Sequence, residues 1–369
     1  MSEQAPLRVW HVDSGKRHGG GQVQISYLLN GLVSRGVACT LICPKESPIP
    51  GLGIPREVEV IHLNVRSEWD VPSIWKMRKL VRAFQPDILH AHDAKAHTVC
   101  LLARTGRQKV IVHRRVSFPI HRHILTKWKY GAGVDQYIAV AECVRDRLIG
   151  IGAPKENVTV IHSAVDLSRF GSTGRDTTVR EELGLTEDRK IIGTVGRLTR
   201  EKRYDWLLDT LKPVLESHPT CCLVLVGDGP ERGPLESRAE RLGIRDQVIF
   251  TGHRKDVPRL LAAFDVYVLC SESEGYPVSL AEAMAAGCAV VSANVGGVSE
   301  IVTSGENGIV VLPNDAISLR DAVGDLLQNK QLRMELGQAG RESAIKKIGT
   351  EAIVEAVLKL YNQVHIMGR

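Results

Sequence analysis

The run SESEGYPVSLAEAMAAGCAVVSANVGGVSE, residues 271–300, decides the fold. It follows DVYVLC (265–270), an apolar run of strand length, and continues as a Gly-Tyr-Pro turn, a row of helix formers stopped by Gly287, the short apolar run AVVS (289–292) and the turn pair Gly296-Gly297. Strand, loop, helix, strand in this order predicts a parallel sheet covered by helices. Glu274 then falls on the loop leaving the first strand, and Glu282 one to two turns inside the helix. Both should face the crevice at the carboxyl edge of the sheet, where such folds bind ligands. Carboxylates accept paired hydroxyl hydrogen bonds, which suits ribose and other sugars, and backbone N–H groups around 277–279 suit phosphate oxygens. A nucleotide sugar offers both partners.

The same alternation extends outward in both directions. Upstream, strand-like runs over 191–195, 222–226, 247–251 and 266–270 alternate with helical patterns over 204–217, 233–242 and 257–263. The amino-terminal half repeats the scheme without an exact internal repeat. Strands are predicted over 7–12, 38–43, 58–63, 88–92, 109–113, 136–140 and 158–161, with helices over 22–34, 71–84, from 94 onward and over 142–150. The polar, turn-rich GSTGRDTTVRE after Arg169 reads as a linker or the first surface segment of a second domain. The fold class is α/β, with two Rossmann-like domains over 1–170 and 171–349 and a helical tail over 350–369.

Composition narrows the function. A chain of 369 residues with 43% hydrophobic content supports two cores. It contains no apolar run of membrane-spanning length, and MSEQAPLRVWHV lacks the pattern of a cleaved leader, so a cytoplasmic location is expected. The 8 cysteines include no CxxC pair and read as small buried hydrophobes. Residues 1–170 hold 24 Lys+Arg against 14 Asp+Glu, whereas the remainder holds 24 against 28. A basic first half implies an anionic partner on that side. Zinc-finger, RNP-like and KH-type patterns are absent, so nucleic acid is not the expected partner. The GGG of 19–21 lacks the GxGxxG spacing of dinucleotide enzymes. No His, Asp or Cys group has convincing metal-ligand spacing and no DxD-type pair occurs, so no metal or other cofactor is expected.

The block 271–300, with its two glutamates separated by seven residues, resembles the donor-site motif of the retaining glycosyltransferases of the family 4, group 1 type, and the resemblance extends over nearly the whole chain. It implies the GT-B fold, in which two Rossmann-like domains face each other across a donor and acceptor cleft. The last helix of that fold crosses back to the first domain. Onto this sequence the resemblance carries a diphosphate clamp at Gly196, Arg197 and Lys202, with Arg200 a nearby competitor, and a close backbone approach to the nucleotide at Gly227, Asp228 and Gly229. His253 and Arg254 would lie by the base, and Gly20 and Gly21 near the donor phosphates. Glu282 would accept ribose hydroxyls. Glu274 would hold the transferred sugar, aided by Gly275, Tyr276, Pro277, Val278 and Ser279. Where the family has Gly after the clamp lysine, this chain has Arg203.

In the first half the resemblance places His113 on a sugar hydroxyl. His92 or Asp93 would orient the acceptor or act as base, with His11 and Asp13 as weaker candidates, and Arg114 and Arg115 on the acceptor side. The catalytic set so implied is His113, Arg197, Lys202 and Glu274. The implied reaction transfers a sugar, with retention, from a nucleoside diphosphate sugar of the UDP type to a glycan or lipid-linked saccharide, as in building cell-surface glycans or lipopolysaccharide. A UDP-sugar epimerase of the same fold is the enzymatic alternative, and a noncatalytic sugar-nucleotide or nucleic-acid binder the other. Two basic, aromatic stretches, WKMRKLVR (75–82) and residues 114–130 with Phe118, Arg122, Lys127, Trp128, Lys129 and Tyr130, suit the anionic cytoplasmic face of a membrane.

Overall fold

Two parallel sheets organise the chain, and each arises from short runs of Val, Ile and Leu buried on both faces. The computed structural model describes residues 6–115, 124–131, 133–170 and 177–366. It divides into two compact units, Met1–Ala164 with Thr350–Arg369, and Val165–Gly349.

In the first unit, β1 (Arg8–Val12), β2 (Ala38–Cys43), β3 (Glu59–His62), β4 (Ile88–Ala91), β5 (Lys109–Arg114), β6 (Gln136–Ala139) and β7 (Val158–Val160) form a sheet of order β3-β2-β1-β4-β5-β6-β7. The order reverses between β1 and β4, which opens a crevice at their carboxyl ends. The helices are α1 (Gly20–Val33), α2 (Val71–Phe84), α3 (Ala94–Ala103), α4 (Ile124–Gly131) and α5 (Glu142–Gly150). Asp70 caps α2 by accepting the N–H of Ser73, and Asp93 caps α3 by accepting those of Lys95 and Ala96.

In the second unit, β8 (Lys190–Val195), β9 (Cys221–Val226), β10 (Val248–Gly252), β11 (Val266–Leu269), β12 (Ala289–Ala293) and β13 (Ile309–Val311) run in the order β10-β9-β8-β11-β12-β13. Here the reversal lies between β8 and β11. Helices α6 (Thr177–Glu182), α7 (Tyr204–Ser217), α8 (Arg232–Arg241), α9 (Val257–Ala263), α10 (Val278–Ala285), α11 (Val298–Ile301), α12 (Ala316–Gln328) and α13 (Lys330–Ile348) complete the unit. A buried ion pair ties it together: Arg180 on α6 meets Asp265 at 3.0 Å, and Asp265 also accepts the N–H of Ile191.

The chain then returns to the first unit. α14 (Thr350–Ile366) lays Val354, Val357, Leu360, Tyr361 and Val364 into the core beside Ile25, Leu28, Leu29 and Leu32 of α1. Gly31 permits this approach, because a Cβ there would stand 2.4 Å from a methyl of Val354. Among the described residues no helix is long and apolar enough to cross a membrane.

Candidate functional site

The residues at the carboxyl edge of the second sheet are brought together by three loops packed backbone to backbone. Gly196 donates its N–H to Val226, Leu198 to Asp228, and Gly227 to Gly252. Side chains would not fit between them. Gly227 sits at φ +140°, and a Cβ on it would lie 2.0 Å from the carbonyl oxygen of Gly196; at Gly229 the corresponding distance to the Leu198 oxygen is 2.3 Å. The glycines expected near the nucleotide are therefore required already by the protein's own packing.

Beyond β8 the exposed Arg197 is followed by a 3₁₀ turn, Arg200–Lys202, whose Lys202 meets Glu274 at 2.7 Å. Both side chains are largely shielded, and the pair spans the point of reversal between β8 and β11. Arg203 follows at φ +56°, a left-handed conformation that costs a residue with a Cβ about 1 kcal/mol relative to glycine. A glycine would adopt this conformation without that cost. In this chain the guanidinium of Arg203 bonds Asn314 at 2.8 Å and lies over Trp206.

Glu274 is held from behind by the loop after β12. Gly296, at φ +58°, would put a Cβ 2.1 Å from the Glu274 carbonyl oxygen, and Gly297 donates to the carbonyl of Gly275. One turn inside α10, burial pushes the Glu282 carboxyl up to about 7, against the pull of Arg169. The backbone donors at the start of α10 are fewer than the sequence suggests. Pro277 has no N–H, Val278 gives its own to Tyr276, and Leu280 gives its own to Pro277, so Ser279 is the remaining donor of that stretch. The Ser279 hydroxyl accepts from Tyr267. His253 is exposed, whereas the guanidinium of Arg254 is engaged by Glu182 at 2.9 Å and Asp256 at 2.6 Å. Arg200 is exposed and pairs with Glu231.

The first unit holds a network that linear spacing does not reveal. Because β1 and β4 pair with His11 opposite His90, four buried histidines, His11, His90, His92 and His113, gather at one sheet edge around Arg115. Burial holds all four pKa values far down, His11 to about 3, so the rings are neutral. Arg115, which can only donate, bonds His92 Nδ1 at 3.0 Å and His113 Nδ1 at 3.1 Å. Their protons must then sit on Nε2. His92 donates through its Nε2 to His11 Nδ1 at 3.0 Å, and His113 keeps a buried Nε2–H without a partner. Such a donor costs stability unless a ligand takes it up. His90 Nδ1 bonds the hydroxyl of Tyr361 at 2.5 Å.

Nitrogens of His11, His90 and His92 lie within 4.8 Å of one another, a grouping that could hold a metal ion. Yet both nitrogens of His92 are already engaged, and a cation there would stand beside half-buried Arg115. The trio fits a hydrogen-bonded network better than a metal centre.

Two of the acceptor-side candidates have partners within the first unit. The Asp93 carboxylate accepts from Ser14 N and Oγ and from the N–H groups of Lys95 and Ala96, so it positions loops and has little capacity left for a substrate. Arg114 points to the opposite face of β5 from Arg115, where its charge is felt by His97 and Lys129. Gly20 and Gly21 open α1 with no tight steric demand, Gly21 facing Arg115.

Residues 18–169 match the family model Glycosyltransferase Family 4, and residues 175–343 match Glycosyl transferases group 1. The N-acetyl-alpha-D-glucosaminyl L-malate synthase of Bacillus anthracis is 26% identical over 80% of this chain and 80% of its own length. The lipopolysaccharide core biosynthesis glycosyltransferase LpsE of Rhizobium meliloti is 28% identical over 96% of this chain and 98% of its own. Among solved structures, Anabaena HepE in complex with UDP and glucose shares the fold, with a TM-score of 0.85 at 21% identity over 96% of this chain and 99% of that one. Two Rossmann-like units, the paired family matches and relatives named as glycosyltransferases converge: the chain belongs to the GT-B glycosyltransferases that join a family 4 domain to a group 1 domain, and it uses a nucleotide sugar.

Proposed function

We propose that the enzyme transfers a hexose from a UDP-sugar, with retention and without a metal, to a glycan or lipid-linked saccharide. The observation that carries this reading is the Lys202–Glu274 pair at the reversal point of the second sheet, with Glu282 shielded one turn inside the helix that follows. Lys202 has three donors and can keep Glu274 while reaching a phosphate oxygen, and Arg197 supplies a second cation. Their charge offsets that of the departing diphosphate, the part a divalent ion would otherwise play. Glu274, held by Lys202, then serves as an acceptor for sugar hydroxyls and not as a nucleophile, with Gly275, Tyr276 and Val278 shaping its loop. The bond from the anomeric carbon to the β-phosphate oxygen breaks, the acceptor oxygen bonds that carbon from the same face, and the acceptor proton passes to the departing phosphate. The Nε2–H of His113 is the donor for a sugar hydroxyl.

Relatives named for lipopolysaccharide core synthesis and a solved relative holding UDP and glucose support the donor and acceptor classes. Their names speak against the epimerase alternative. The test is transfer from a UDP-hexose in excess chelator, with the product's anomeric proton read by NMR. Activity should persist and the configuration should be kept. An inverted product, or a rate restored only by Mg²⁺ or Mn²⁺, overturns the corresponding part of the reading.

The same reading places the first unit at the cytoplasmic face of an anionic membrane. Trp69, Val71, Trp75 and Trp128 are exposed, Trp75 at 60%, and Trp69 stacks on Trp128 while Lys79 lies 3.5 Å above the Trp75 ring. Exposed Lys76 and Lys127 flank them. Lys129 and Tyr130, by contrast, are buried, and Lys129 bonds Glu68 and the carbonyl of Ala94, so they belong to the interior of the unit. Phe118 and Arg122 lie outside the described residues. Each surface cation near anionic lipid contributes about 1 kcal/mol. Reversal of Lys76, Lys79 and Lys127 to Glu should therefore abolish flotation with anionic vesicles and leave UDP affinity intact. Equal flotation of variant and wild type would remove the membrane from the proposal.

A further inference from the structure

A cavity of about 670 Å³ opens at the carboxyl edge of the first sheet, and its walls are cationic. Lys16 and Arg17 reach it from the loop after β1, Arg66 and Asn64 from the loop after β3, and Lys95 from the first turn of α3. No carboxylate lines it. The acids close by are otherwise engaged: Asp93 by its four donors, Asp13 by the N–H of Gly15, and Asp70 by the N–H of Arg66 and by Ser73. Lys16 meets Glu46 at 3.5 Å, but both side chains are about half exposed, where such a pair is weak. Arg17 and Lys95 enter no ion pair among the described residues.

Four cations around one cavity repel one another, and the unit keeps them in place by construction. Ser14 is bound through both its N–H and its hydroxyl to Asp93, the cap of α3, which fixes the Lys16–Arg17 loop against Lys95. Asp70 fixes the backbone of Arg66 in the same way from the cap of α2. A neutral saccharide would be met by carboxylates and amides. Converging Arg and Lys side chains match phosphate, the Arg as planar forks and the Lys as point charges.

We propose that this cavity receives a phosphate or pyrophosphate group carried by the acceptor, with Arg17, Arg66 and Lys95 as its principal contacts. The inference rests on the reading of the first unit as the acceptor side and adds the chemical class of what it holds. It makes this enzyme a consumer of a phosphorylated acceptor, so the reaction supplying that acceptor must be a phosphoryl or phosphosugar transfer.

The test titrates inorganic pyrophosphate into the full chain saturated with UDP, at low salt, by calorimetry. Wild type should bind, and the variant Arg17→Gln, Arg66→Gln, Lys95→Gln should bind at least about tenfold more weakly, with its UDP affinity and melting temperature unchanged and the difference shrinking as salt rises. Arg66→Glu alone should reproduce most of the loss. Displacement of pyrophosphate by glucose 1-phosphate supports a soluble phosphorylated acceptor, and displacement only by vesicles containing phosphatidic acid a lipid-borne one. Displacement by neither, equal binding by variant and wild type, or a wild type that takes up UDP and no pyrophosphate overturns the inference. A wild type that takes up pyrophosphate and no UDP overturns the donor assignment instead.

Discussion

Lys202→Ala should lower kcat/KM by about 10²–10³-fold, the loss measured when one preorganised charge donor is removed from the site of a developing anion. The substitution also leaves Glu274 shielded and without its cation. Because the pair retains some contact with solvent, the accompanying loss of stability should be about 1–2 kcal/mol, below the cost of breaking a fully buried pair. The double variant Lys202→Ala, Glu274→Ala separates the two effects. It should recover most of the melting temperature, since no orphaned carboxylate remains, and none of the activity. Steady-state rates and thermal denaturation on the three proteins check this. A Lys202→Ala enzyme within threefold of wild type would mean that the diphosphate is neutralised elsewhere.

Glu282→Gln should move stability and ligand affinity in opposite directions. The carboxyl pKa is raised by burial from 4.5 to about 7, so the native state holds its proton over a range where the unfolded chain has lost it. Stability from this group is thus full below pH 4.5 and is lost as pH rises through 7. At pH 8 the buried carboxylate costs about 3 kcal/mol, which the amide should return, while at pH 4.5 the two proteins should melt together. UDP binding should follow the opposite course. If the ionised carboxylate accepts the ribose hydroxyls, the variant loses about 1–3 kcal/mol of UDP affinity at pH 8. Wild-type affinity should fall below pH 7, and that of the variant should stay flat. Identical pH profiles for the two proteins would detach Glu282 from the ribose.

Most strands were legible because buried parallel strands are short, continuous apolar runs between turn residues. All seven of the first sheet and five of the six in the second lie where the runs predict them. β13 escapes because Ile309–Val311 is three residues long, and α12 and α13 because nothing in the motif-bearing regions points to them. The site was legible one residue at a time. Its couplings were not, since they depend on register and reversal: Lys202 meets Glu274 across 72 positions, and the histidines of β1 and β4 meet because their strands are neighbours. Side-chain occupancy was equally hidden. Asp93 and Arg254 have the chemistry of ligand-binding groups, and their own neighbours take it up. Arg203 shows the converse, a departure from the family pattern that the backbone accommodates at φ +56°.

The return of α14 to the first unit has a consequence for how the protein is made. Five of its residues stand in the core of a unit whose other segment, Met1–Ala164, is synthesised before the whole of the second unit. On the ribosome, α1 and its sheet emerge with that face bare, and the ring of His90 waits for the hydroxyl of Tyr361. The second unit lies wholly between these segments and can complete its own core first. Domains generally fold as units in order of synthesis. In this chain the order is inverted: the half that begins first closes last, only when residues 350–366 have been translated, and until then its exposed apolar face is the part of the nascent protein most in need of a chaperone.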